Sequence, residues 1–114
     1  MKALVIEDEV LIAMHIEDEL EAIGVTSIGI AADSSEAFRL AVQRPDIAFV
    51  DLNLRDGPTG PTIARHLAGL GVLVFYVTAN PADLGESITY ALGVISKPIA
   101  QSDLIAALAL AAAR

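Results

Sequence analysis

Short apolar runs rich in β-branched residues alternate along this chain with longer stretches of helical period, and that alternation predicts βαβ units around a parallel sheet. Lys2–Glu7 predicts a first strand and Glu9–Ile23 the helix after it, with Leu11, Met14, His15 and Asp18 at helical spacing and Gly24 as its stop. Val25–Ala32 predicts a second strand. Asp33-Ser34-Ser35-Glu36 has the spacing of a capping box and opens a helix to about Arg44, closed by Pro45. Asp46–Asp51, apolar through its interior, reads as a strand covered on both faces that ends on an acid. Turn chemistry over Leu52–Pro61 precedes a helix to about Leu70, and Val72–Thr78 predicts a fourth strand. Asn80-Pro81 marks a turn, Ala82–Leu92 a helix weakened by Gly85, and Gly93–Ser96 a fifth strand. Lys97-Pro98 then breaks the chain before Ser102-Asp103 opens a last helix rich in Ala and Leu.

Composition narrows what such a chain can do. Its 114 residues, 54% hydrophobic, suffice for one buried core, so a single domain over residues 1–114 is expected. A formal net charge of -8 without a run of Lys or Arg repels a phosphate backbone, which argues against nucleic-acid binding. Cysteine is absent, which removes disulfides and thiolate chemistry and fits a reducing compartment. The apolar stretch Ala3–Ile6 is too short for a signal-peptide core, and Leu104–Ala113 is about half of the roughly 20 residues that span a membrane. A soluble cytoplasmic protein, a monomer or weak homodimer without a membrane partner, is expected.

In open parallel sheets ligands bind outside the carboxyl ends of the strands. Those ends hold Glu7, Asp8, Asp51, Thr78 and Lys97. Three carboxylates at neighbouring strand tips raise one another's pKa unless a cation intervenes. Hard oxygen donors with room for water suit Mg²⁺, with Asp8 and Asp51 as its expected direct ligands. A bare carboxylate can attack phosphorus once nearby positive charge neutralises the transferred oxygens, and Lys97 can supply that charge. The Thr78 hydroxyl and backbone N–H groups after Asp51 can donate to phosphoryl oxygens.

The order Glu7-Asp8, Asp51, Thr78 and Lys97-Pro98, each after its strand, resembles bacterial response-regulator receiver domains over essentially the whole chain. The segment Asp51-Leu52-Asn53-Leu54-Arg55-Asp56-Gly57-Pro58-Thr59-Gly60 looks like the family's phosphorylation loop. The resemblance implies a flavodoxin-like, doubly wound five-stranded parallel sheet of order 2-1-3-4-5 with five helices. It implies that Asp51 accepts a phosphoryl group from a histidine kinase or histidine phosphotransfer protein. Asp8, Asp51 and the backbone carbonyl of Asn53 would ligate Mg²⁺, with Glu7 acting through water. Lys97 and Thr78 match the family's lysine and switch hydroxyl, and the Lys97-Pro98 bond is expected to be cis.

Val94 departs from the pattern, standing where many receivers carry a Tyr or Phe that turns inward; Tyr90 or Tyr76 are the aromatic residues that could substitute. Thr78 can still draw the loop Ala79–Ala82 with it. Val10, Leu11 and Met14 are expected in the core by helical spacing, whereas exposure of Leu11 or Met14 would mark a docking patch together with Pro98 and Ile99. His15 and His66 lack a second metal ligand and are expected at surface or boundary positions. The acidic set Glu17, Asp18, Glu19 and Glu21 reads as a solvated helix face.

Two rivals remain. A haloacid-dehalogenase-type phosphatase also uses a strand-end Asp with Mg²⁺, but needs a second Asp two positions on, where this chain has Asn53. A pseudo-receiver that only binds partners would have lost a site residue, and none of the five is missing. The expected role is that of a phosphoacceptor, not an enzyme proper, with no output domain in this chain. It would signal through noncovalent downstream partners or act as a phosphate sink.

Overall fold

The computed structural model describes residues 1–82, 84 and 90–114. Strand and helix alternate as β1 (Lys2–Ile6), α1 (Val10–Ala22), β2 (Thr26–Ala31), α2 (Ser34–Ala41), β3 (Ile47–Asp51), α3 (Gly60–Gly69), β4 (Leu73–Thr78), β5 (Gly93–Ser96) and α4 (Gln101–Ala112). The strands form one parallel sheet in the order β2-β1-β3-β4-β5, as the sequence predicts. Four helices, not five, stand among the described residues; the helix expected over Ala82–Leu92 falls largely outside them.

Alternation along each strand sends residues to opposite faces, and each face needs its own cover. Leu4, Ile6, Val50 and Tyr76 pack beneath α2 and α3. Val5, Phe49, Phe75 and Val77 pack beneath α1 and α4. In α1 the buried stripe is Ala13, Ile16 and Leu20. Val10, Leu11 and Met14, expected inside, are exposed instead: Ala13, Ile16 and Leu20 at i, i+3 and i+7 claim the sheet-facing side, which turns the other apolar set outward.

Helix ends follow local chemistry. Gly24 and Gly71 take φ of 85° and 84°. In the turns they make, the Val25 N–H donates to Leu20 and the Val72 N–H to Leu67, closing α1 and α3. Asp33 caps α2 by accepting from the Glu36 N–H at 2.9 Å. The helix ends at Ala41, short of the expected Arg44, because Pro45 disfavours a helical residue before it and Arg44 takes φ of 55°. In α4 it is Asp103, reaching back to the Ala100 N–H at 2.9 Å, that opens the helix, while Ser102 lies inside it.

Gly60, the first residue of α3, lies against the end of β3. A methyl group there would sit 2.7 Å from Leu52 Cα and closer still to the Asp51 carbonyl oxygen, neither of which can yield without moving backbone. Gly60→Ala is therefore expected to destabilise the fold by about 2–4 kcal/mol. Gly69→Ala, with open space around its position, is expected to be neutral or stabilising by up to ~1 kcal/mol. Urea denaturation of both variants checks the contrast, and equal midpoints would contradict it.

Candidate functional site

The chain leaves β1 for β2 on one side and places β3 on the other side of β1, so the carboxyl ends of β1 and β3 flank the point where strand order reverses. Ile6 pairs with Val50. Glu7 and Asp8 therefore emerge beside Asp51, and carboxylate oxygens of all three lie within 4.8 Å of one another. Lys97 follows β5 and reaches back over β4. Its Nζ donates to Glu7 Oε1 at 2.7 Å and to Asp51 Oδ2 at 3.2 Å. The Lys97-Pro98 bond is cis, as expected from the sequence.

Glu7 is buried, with only 2% of its surface exposed. Its second oxygen accepts from the Asp8 N–H at 3.1 Å, so both of its oxygens are engaged within the protein. Burial, then the adjoining Asp51 carboxyl group, push its pKa up to about 7, against the opposing pull of Lys97. Burial alone would weaken Lys97's hold on its proton. The hydrogen bond to Glu7 and the charge of Asp51 outweigh it, and the ammonium holds its proton more tightly than an ordinary lysine. Asp8 is exposed at the pocket mouth, whereas the Asp51 side chain keeps 13% of its surface open.

Thr78 ends β4 one position beyond Val77, the register partner of Asp51. Its side chain is buried, and its Oγ1 accepts from the Asn80 N–H at 3.1 Å. No group among the described residues receives its hydroxyl proton. Asn53 lies in the loop after Asp51 with an exposed side chain, and no backbone hydrogen bond among the described residues uses its carbonyl.

The residues expected to switch or dock divide into two groups. Leu11 and Met14 are 83% and 50% exposed on α1, and exposed Pro98 lines a cleft of about 260 Å³ with Ile12, His15 and Ile16 of the same helix. Ile99 also lines this cleft, while most of its side chain is buried with the α1 and α4 core. Val94 is half-buried and pairs in register with Tyr76. Tyr76 is already fully buried, its hydroxyl without a partner among the described residues, so no outward ring is there to turn in. Tyr90 precedes the amino end of β5, at the end of the sheet away from Lys97.

Sequence reasoning missed three supports of the site. The Arg55 guanidinium joins Asp33 at 2.5 Å and Glu36 at 2.8 Å, tying the loop after Asp51 to the start of α2. The Glu36 N–H and then Arg55 hold the Asp33 carboxyl below the usual carboxylate range. Asp56 accepts from the hydroxyls of Ser34 and Thr59, which lower its pKa likewise. His15, expected to be a surface residue, is exposed, but its Nε2–H donates to the Ile99 carbonyl at 3.2 Å and fastens α1 to the loop after Lys97. The Asp33-to-Glu36 spacing marked the cap, but nothing local to Arg55 or His15 announces partners 22 and 84 residues away.

Three carboxylates around one ammonium, at the switch point of a five-stranded parallel sheet, suit a divalent cation and phosphoryl chemistry. Comparison with known proteins agrees with that geometry. The curated relative PhyR, the phyllosphere-induced regulator of Methylorubrum extorquens, is 38% identical over 81 residues, covering 68% of this chain and 30% of PhyR. The transcriptional regulatory protein PdtaR of Mycobacterium tuberculosis is 30% identical over 118 residues, covering 99% of this chain and 57% of PdtaR. The chain thus spans between about a third and somewhat over half of these relatives. The solution structure of the receiver domain of Erythrobacter litoralis PhyR superposes with a TM-score of 0.87 at 28% identity, covering 97% of this chain and 88% of that one. The family described as the response regulator receiver domain matches residues 3–109, and the chain belongs to that family of signalling domains.

Proposed function

We propose that this chain is the phosphoacceptor of a two-component phosphorelay, taking a phosphoryl group onto Asp51 from a phosphohistidine of a kinase or phosphotransfer protein. The observation that carries this reading is Asp51 itself. One of its oxygens is held by Lys97 at 3.2 Å, and the other has no hydrogen bond among the described residues. In the transfer the Asp51 oxygen forms a bond to phosphorus as the phosphorus–nitrogen bond of the donor breaks, and the imidazole leaves with the electron pair. Lys97 faces the negative charge that spreads over the transferred oxygens, and the uncommitted Thr78 hydroxyl proton is available to one of them.

The donor set fits Mg²⁺: hard oxygens only, and an excess of carboxylates over cations. Asp8, Asp51 and the Asn53 carbonyl would hold the ion, with Glu7 acting through water, since both of its own oxygens are already engaged. When bound, the ion supplies positive charge that neutralises the phosphoryl oxygens. Exposed Leu11, Met14 and Pro98, next to the pocket mouth, form the surface for the phosphoryl donor. Val94 in place of an aromatic residue suits a phosphate sink, which needs no rotating ring, as well as output through a noncovalent downstream partner. The absence of cysteine fits a cytoplasmic setting.

Phosphotransfer profiling against a panel of histidine kinases is expected to label the chain, and Asp51→Asn to abolish the label; equal labelling of that variant removes Asp51 as acceptor. Leu11→Glu with Met14→Glu should slow transfer from the cognate kinase by roughly tenfold or more while leaving labelling by acetyl phosphate unchanged. Slowing of both reactions alike would show that these residues serve the chemistry and not docking.

The raised pKa of Glu7 fixes the sign of a pH effect. A carboxyl group whose folded pKa lies above its unfolded value stabilises the fold fully below about pH 4.5, and that contribution is lost as pH rises through about 7. Thermal melts in chelator are thus expected to show Tm falling across this window, with Glu7→Gln flattening the slope. Mg²⁺ should restore Tm above pH 7, where the ligands are ionised. A slope unchanged in Glu7→Gln would assign the titration elsewhere.

A further inference from the structure

Charge is distributed over this molecule by face. From Asp8 to Glu21 the chain carries six acids and no Lys or Arg, and this stretch includes α1, which packs on one side of the sheet. On the opposite side lie α2 and α3. From Ala37 to Pro45 and from Gly57 to Ala82 the chain has no Asp or Glu at all, yet it carries Arg39, Arg44, Arg65 and His66. Neither Arg39 nor Arg65 has a carboxylate within ion-pair distance among the described residues, and the one acid in the first turn of α2, Glu36, is already taken by Arg55. In a chain of net charge -8, these unpaired cations form a local positive face.

The same face has an apolar floor. A cleft of about 500 Å³ lies between α2 and α3, lined by Phe38, Thr62, Arg65, His66, Gly69 and Leu70. The Phe38 and His66 rings meet at a centroid distance of 4.7 Å and an interplanar angle of 60°. Phe38 and Leu70 are each 37% exposed, and Val42, one turn beyond Phe38, is 76% exposed. Gly69 contributes no side chain to block the cleft, and a methyl group at its position would meet nothing within 4 Å. Half-covered aromatic and aliphatic side chains beside an exposed arginine, here Arg65, are the composition of a protein-docking surface.

We propose that the α2–α3 face docks an acidic segment of a partner protein, an apolar side chain of which enters the cleft at Phe38 while its carboxylates pair with Arg39 and Arg65. Charge complementarity selects this occupant: a basic or neutral segment gains nothing from cations that have no ion-pair partner among the described residues. The site lies on the other side of the sheet from Leu11 and Met14, so its occupant and a phosphoryl donor on α1 bind without overlap.

The test is an amide NMR titration of the full chain with a short synthetic peptide of Glu and Asp around a single Phe, and with its analogue carrying Lys at every acidic position. Saturable shifts centred on Phe38, Arg65, His66 and Leu70 with the acidic peptide alone, weakened by salt and roughly tenfold or more by Arg39→Glu with Arg65→Glu, are the result expected. Both arginines are exposed and have no ion pair among the described residues, so the double variant should keep the wild-type melting temperature and its labelling by acetyl phosphate. Equal shifts with both peptides, shifts scattered over the surface, or affinity unchanged in the double variant would overturn the proposal. So would concentration-dependent sedimentation of the peptide-free chain that the double variant abolishes, because it would give the face to a second copy presenting its acidic α1.

Discussion

Negative charge crowded at the tips of two adjacent strands, and balanced by a single ammonium, is the constraint around which the rest of this molecule is arranged. Glu7 and Asp51 follow paired strands, so the backbone ladder itself brings them together and they cannot separate without loss of sheet hydrogen bonds. Lys97 arrives from two strands away and spends its long stem crossing the end of β4 to meet both. One cation against three carboxylates leaves the pocket with an excess of negative charge. That excess costs stability in the folded chain, and the proposed binding of a small divalent cation and a phosphoryl group rests on it.

Such a pocket holds its shape only if the loops around it are tied down from outside. Arg55 and Asp56, immediately beyond the acceptor loop, are fastened to the start of α2 through Asp33, Glu36 and Ser34. These pairs are solvent-exposed, and each contributes little on its own. Acting together with the Arg55 N–H to Ala32 carbonyl bond, they restrict the loop that carries Asn53 to one path. On the other flank His15 fastens the loop after Lys97 to α1. The site is held between two clasps, one on each side of the sheet.

How much of this was legible beforehand follows from the range of each signal. Strand periodicity and the apolar interior of β3 are local, and they showed the parallel sheet and the residues at its tips, whereas the strand order came from the family resemblance. The five residues of the acidic pocket could be named because each follows a strand, and topology then brings the tips together. The facing of α1 was misread because Leu11 and Met14 keep a helical spacing as regular as that of Ile16 and Leu20. Spacing establishes a helix but does not say which side meets the sheet. The cation face of α2 and α3 was invisible as a face, since Arg39 and Arg65 are far apart in sequence and come to the same side of the sheet only through the packing of the two helices.

The acceptor strand and α3 meet without any side chain between them. Gly60 brings the first turn of α3 directly against the Asp51 carbonyl and Leu52, and the Gly60 N–H bonds to the Leu52 carbonyl at 3.1 Å. Contacts of backbone on backbone have no rotamers with which to absorb a displacement. Any shift of the acceptor loop is therefore passed to the helix axis and not dissipated at its start. Since α3 carries Arg65 and His66 on its outer side, the acceptor and the α2–α3 face are joined by a stiff element. The α1 surface is joined to the same pocket through the chain itself, since Asp8 lies two residues before α1, and through the His15 hydrogen bond. Energetic coupling between a site and a distant surface requires an element whose position both of them bias. By that criterion α3, in backbone contact with the end of β3, is an element able to couple the proposed acceptor Asp51 to the α2–α3 face.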